Sequence, residues 1–229
     1  MKYYLGGYYL ISLCPYPLLD NQLIYTCSSC INDNLLLYPL CSDYQDKEKY
    51  INEIELKYKL NKNDMSSLSN WINNNLDKIR WPDAFSEIKF VYEYKNKYFK
   101  HINPLYLFAI YFDENETNRL LDLFKTENDN EWCIGIYRLL KDKIIENDKE
   151  KLLGYDLIGL ESVGDFHTFH CNDLAKDICN KFGLILNKYG LFDEYSNWDS
   201  VSNYINSEEI ACEPVPWFVT KVKMVYKFE

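Results

Sequence analysis

Histidine, cysteine and carboxylate side chains crowd one short stretch of this 229-residue chain: His167, His170 and Cys171, with Glu161 and Asp165 just upstream. An imidazole beside a carboxylate can hold a metal ion or move protons near neutral pH. The spacing argues against both. On a strand, side chains alternate faces, so His167 and His170 would point to opposite sides. HxxH also lacks the helical spacing of HExxH, and no third ligand is evident. Two histidines packed in a hairpin, with their hydrogen bonds satisfied, account for the same residues. No catalytic residue is assigned, and a metal-dependent enzyme using His167 and His170 is kept as the alternative reading.

A second set is Cys27-Ser-Ser-Cys30, flanked by Cys14 and Cys41. Four thiolates can bind zinc tetrahedrally, which would make the chain a zinc-stapled adaptor or phage-defence component. The outer two cysteines do not form a second CxxC pair, however, and free loop thiols are the simpler explanation. A redox role is weaker still, because no helix-opening βα context follows Cys30. No metal or cofactor is assigned. Nucleophilic chemistry lacks a GxSxG motif, and with eight glycines in all the chain holds neither GxGxxG nor a P-loop, which argues against ATP- or dinucleotide-dependent reactions.

The third set is acidic and aromatic. Residues 192–213 contain no Lys, Arg or His but carry Asp193, Glu194, Asp199, Glu208, Glu209 and Glu213 together with Tyr195, Trp198 and Tyr204. Aromatic side chains supply anchor area in a protein interface, and carboxylates supply complementarity to a basic partner. Asp193, Glu194, Tyr195, Trp198, Asp199, Tyr204, Glu208 and Glu209 are therefore the candidate partner-binding residues. A merely solvated acidic face is the competing reading.

Composition sets the frame for these choices. Asp and Glu outnumber Lys and Arg by 35 to 25, giving a net charge of -10. That balance disfavours nucleic acid and anionic membranes and favours a basic protein. With 47% hydrophobic and 17% aromatic residues, the chain can bury a substantial core. The uncharged run at residues 3–19 holds five tyrosines, two glycines and two prolines, too short and polar for a membrane span and without a cleavage site after it. A cytoplasmic protein with reduced thiols is expected, since eight cysteines in a chain this long do not make a disulfide framework.

The elements that must position these residues follow from periodicity. Residues 2–13 read as a strand, with Gly6-Gly7 marking a bulge or a close backbone approach. Residues 14–41 are loop-like, and residues 46–60 read as an exposed helix. Asp64 or Ser66 is expected to cap a helix with the stripe Leu68, Trp71, Ile72, Leu76 and Ile79. Residues 85–99 suit a helix or a strand, residues 105–112 a buried strand, and Asp113 or Asn115 the start of the next helix. Residues 135–145 read as helical, with a polar surface connection to Lys151. Residues 153–161 and 166–171 form a hairpin; helices follow after Asn172 and around residues 198–205. Glu213-Pro-Val-Pro-Trp-Phe218 reads as a rigid entry to the last strand, or else as a recognition edge presenting Trp217. In that strand Val222, Met224, Tyr226 and Phe228 alternate with lysines, the pattern of a half-buried strand. The class is α+β, a mixed or antiparallel sheet with several flanking helices, in one domain with a possible division near residue 150.

The segment LGYDLIGLE, FHTFHC, FGLILNKYGLF and CEPVPWF, mainly residues 153–217, resembles bacterial immunity-type proteins encoded beside polymorphic toxins. The resemblance implies a small, acidic, cytoplasmic protein that binds a cognate toxin and blocks it. It implies no catalytic residues.

Overall fold

The computed structural model describes residues 1–15, 23–24, 52, 55–56, 58–75, 79–80, 84–125, 134–160, 166–169, 174–193, 198–207 and 215–229. Its centre is a seven-stranded sheet in which every pairing is antiparallel. The strands are β1 (Tyr3–Ile11), β4 (Ile79–Arg80), β5 (Ala84–Phe85), β6 (Leu105–Asp113), β7 (Lys151–Leu160), β8 (Phe166–Thr168) and β9 (Trp217–Phe228), in the spatial order β4-β5-β1-β6-β9-β7-β8. A separate two-residue ladder pairs β2 (Cys14–Pro15) with β3 (Leu23–Ile24). With α1 (Lys62–Asn73), α2 (Ile88–Tyr98), α3 (Glu114–Leu123), α4 (Ile134–Lys141), α5 (Leu174–Phe182) and α6 (Trp198–Ile205), the fold is α+β.

Alternation along β6 shows how both faces of the sheet are used. Phe108, Ile110 and Phe112 join Tyr4, Tyr9, Phe218 and Val222 on one face, where Leu120 of α3 and Ile136 and Leu140 of α4 cover them. On the other face, Leu105 and Leu107 meet Met65, Leu68, Trp71 and Ile72 of α1 and Val91, Tyr94 and Tyr98 of α2. Further along that same face, Leu157, Trp217 and Val219 meet Leu174 and Ile178 of α5 and Trp198, Val201 and Ile205 of α6. Between these two helix pairs, Tyr3, Leu5, Ala109 and Tyr111 form the middle of the face. The last strand is thus covered on both sides from Trp217 to Thr220, while Tyr226 and Lys227 near its other end are exposed.

Local chemistry explains where elements begin and end. Gly6 and Gly7 do mark a bulge: the β1–β6 register shifts between Leu5 and Gly7, and Gly7 sits at φ 154°, which favours glycine. Helix α1 is capped by Asn61, whose side chain accepts from the Asn63 and Asp64 amides; Asp64 is its capping-box partner, not the cap itself. The helix stops at Asn73, short of the expected stripe. Asn75 folds back to donate to the Trp71 carbonyl at 2.6 Å, and Ile79 joins strand β4. Phe85 lies in a strand and the helix begins at Ile88. Asp113 caps α3 as expected, accepting from the Glu116 amide at 2.8 Å.

Residues 142–150 are the largest departure. Helix α4 ends at Lys141, and the chain then runs along β1 as an extra edge, with the Leu5 amide donating to the Ile144 carbonyl and the Glu146 amide to the Tyr3 carbonyl. A polar surface connection is instead a strap across the sheet. The helix expected over residues 46–60 falls largely outside the described residues, as do most of residues 14–41.

Candidate functional site

The edge of β9 that faces β6 is open at one end, because their ladder stops at the Tyr111–Lys221 pair while β9 continues back to Trp217. Unpaired backbone groups on a strand edge must find partners. Three side chains supply them. Glu116 Oε2 accepts from the Val219 amide at 3.2 Å, Asn206 Oδ1 accepts from the Trp217 amide at 3.0 Å, and Arg119 Nη2 donates to the Trp217 carbonyl. Arg119 also donates to Glu116 Oε2 at 2.6 Å, and its guanidinium lies 4.0 Å from the centre of the Phe218 ring. Helix α3 positions the carboxylate and guanidinium three residues apart, on one face.

Where α3 and α6 approach each other over this edge they leave a groove of about 430 Å³. Glu116, Arg119, Trp198, Asp199, Ser202, Asn203 and Val219 line it. Burial pushes the Glu116 carboxyl above its ordinary range, outweighing the opposing pull of Arg119 and the Val219 amide.

The acidic, aromatic residues expected to bind a partner distribute unevenly. Asp199 is exposed in the first turn of α6, and Asp193 is exposed with its Oδ1 accepting from Asn187 Nδ2 at 2.8 Å. Tyr204 is half-buried, edge-on to Phe182 with ring centres 5.5 Å apart and with the Lys181 ammonium 3.6 Å above its ring. Trp198 corrects the expectation of a surface anchor. It is 3% exposed, with its ring 5.2 Å from that of Phe192 and 6.1 Å from that of Tyr155. The helical period that exposes Asp199 turns its neighbour Trp198 inward. Glu194, Tyr195, Glu208 and Glu209 lie outside the described residues.

The other sets resolve only in part. His167 is a β8 residue opposite Gly159 of β7, which places it in the expected hairpin, whereas His170, Cys171, Glu161 and Asp165 lie outside the described residues. So do Cys27, Cys30 and Cys41. Among the described residues no three His, Cys, Asp or Glu side chains gather in a way that could hold a metal ion, and no helix is long and apolar enough to cross a membrane. Trp217 is 1% exposed, in keeping with the strand-entry reading of the Pro-Val-Pro-Trp run.

A second polar cluster lies on the sheet between the two helix pairs, and sequence reasoning missed it. Glu146 accepts from the Lys221 ammonium at 3.0 Å and from the Lys223 ammonium at 3.1 Å, and Lys223 also donates to the Asn147 carbonyl at 2.8 Å. Tyr111 donates to Glu150 Oε2 at 2.7 Å, and the Lys221 ammonium sits 3.2 Å from the centre of the Tyr3 ring. Burial alone would raise the Glu146 carboxyl, but the bonds from its two lysines hold it below the usual carboxylate range. Burial pushes Tyr8 up to about 12 and raises Tyr3 and Tyr111 as well, so these phenols stay protonated at neutral pH.

Glu150 behaves oppositely to Glu146. Its burial raises the carboxyl despite the bond from Tyr111 and the charge of Lys223. The folded state therefore takes up this proton before the unfolded chain does, and stability contributed here rises as pH falls from neutral toward the unfolded carboxylate value of about 4.3. Glu150→Gln keeps an oxygen for Tyr111 and removes the titration. Urea unfolding at pH 7 and pH 5 should show a smaller gain on acidification in the variant than in the wild type; an equal gain would mean another group titrates.

Comparison with protein-family models, with curated proteins and with solved structures returns no match for this chain.

Proposed function

We propose that the protein is a non-enzymatic binding protein of the immunity type, which neutralises a basic toxin by docking it on the acidic surface around α6. The observation that carries this reading is the pair of exposed carboxylates on fixed supports. Asp193 is held by Asn187, which is itself anchored to the Leu153 carbonyl at 2.7 Å, and Asp199 rides a helix whose other face is buried through Trp198, Val201 and Ile205. Carboxylates that need no reordering on binding cost less conformational entropy than carboxylates on mobile tails. The net charge of -10 draws a cationic partner toward that surface.

The test begins with capture of the tagged protein from its host and identification of whatever co-purifies in stoichiometric amount. The affinity of that protein is then measured for the wild type and for D193N/D199N across a salt series. The reading predicts a basic partner, binding about tenfold weaker in the variant and with a flatter salt dependence. Equal affinity in both would overturn the surface assignment.

A further inference from the structure

We infer that the groove between α3 and α6 receives a single arginine side chain of the partner, with Asp199 as its counter-ion. The inference rests on the partner-binding reading above and names the contact that surface makes. It stands on the groove itself and on the state of the charges lining it.

The groove's volume of about 430 Å³ lies within the range typical of ligand sites, about 300–1,000 Å³. Its floor is rigid, because the side chains that close the β9 edge are tied to backbone. Glu116 and Asn206 hold amides of Val219 and Trp217, and Arg119 holds the Trp217 carbonyl. Among the described residues the Glu116 carboxylate accepts through Oε2, from Arg119 and from the Val219 amide. That bonding neutralises the charge of Arg119 and leaves Oε1 able to accept among the described residues. Asp199 adds an exposed carboxylate to the same lining, and Ser202 and Asn203 add a hydroxyl and an amide, each able to accept from a donor.

With the Arg119 guanidinium tied to Glu116 and to the Trp217 carbonyl, the charged group left facing the groove is the exposed Asp199 carboxylate. An anion is therefore disfavoured and a cation favoured. Arginine suits it better than lysine, because a planar guanidinium can pair with a carboxylate through two parallel bonds while further N–H groups reach neighbouring acceptors.

The probe is butylguanidine, an arginine side chain without a backbone, with butylurea as its uncharged counterpart. Amide resonances of Ser202, Asn203 and Val219 report the groove. Saturable shifts at these three with butylguanidine, absent with butylurea and at least fivefold weaker in D199N, support the assignment. Asn203→Trp, which fills the exposed rim without changing charge, should abolish them. Shifts that are absent in the wild type, or that persist in N203W, overturn it. The two readings fail separately. If D193N/D199N weakens the captured partner but butylguanidine does not bind the groove, the groove assignment falls and the docking surface stands. If butylguanidine binds but partner affinity ignores Asp199, the docking reading falls and the arginine contact with it.

Discussion

Replacing Glu146 with alanine should destabilise the fold by about 3 kcal/mol, among the largest effects of any single change on the surface strap. The carboxylate accepts from two ammonium groups that reach it across the sheet, with side chains of Lys221 and Lys223 only 12% and 7% exposed. Removing the acceptor leaves two ammonium groups without their shared carboxylate where water reaches them poorly, and that desolvation, more than the lost attraction, sets the size of the effect. The backbone tie of the strap is not touched directly, since residue 146 keeps the amide that donates to the Tyr3 carbonyl. At this chain length, about 3 kcal/mol corresponds to a fall in Tm of roughly 6–12 °C. The control is E146L/K221M/K223M, which removes all three charges and should recover most of the loss. If the triple variant is no more stable than E146A, the penalty does not come from stranded charge. The acid limb provides a second check. A carboxyl held below its unfolded value contributes stability that is present above about pH 4.3 and is lost as pH falls through the folded value, so E146Q should flatten unfolding below pH 4.

The second large effect is expected at Gly154, where β7 shifts register against β9. Its φ is 148°, and a Cβ built there would lie 2.7 Å from the Phe192 carbonyl oxygen and 2.8 Å from Leu191 Cβ. The neighbour is backbone, held by paired hydrogen bonds between Tyr155 and Phe192, so it cannot step aside. Strain and overpacking together should cost Gly154→Ala about 3 kcal/mol. Gly183→Ala makes the comparison, because its φ of 65° also favours glycine but nothing lies within 4 Å of the added carbon. Guanidinium unfolding should place G183A clearly above G154A; equal midpoints would remove the role of the Phe192 contact.

What the sequence conveyed, it conveyed through local signals. Strands β1 and β6, the Asp113 cap and the hairpin of β7 and β8 follow from composition, alternation and turn residues, all written within a few positions. Helix α1 was recognised but overextended, because Leu76 and Ile79 continue its apolar period while the Asn73-Asn74-Asn75 run that ends it carries a weaker signal. Trp198 and Asp199 show the same limit at the candidate site. Both belong to an acidic, aromatic span, but only the position of α6 against the sheet decides which of them faces solvent. Glu116 and Arg119 read as an ordinary ion pair three residues apart on a helix, and nothing near them points to a strand edge 100 residues away in sequence. Glu146, with its lysines about 75 positions later, was hidden for the same reason.

The order of strands in the sheet also dictates an order of assembly. β9 joins β6 to β7, yet it follows both in the chain and is the last of the described strands to leave the ribosome. Until then β1 and β6 can pair as one piece and β7 and β8 as another, each with a bare hydrogen-bonding edge turned toward the place the other will occupy. Between the synthesis of β8 and that of β9 the nascent chain holds two half-sheets in need of the same strand, and they can be joined as in the native sheet only when that strand arrives.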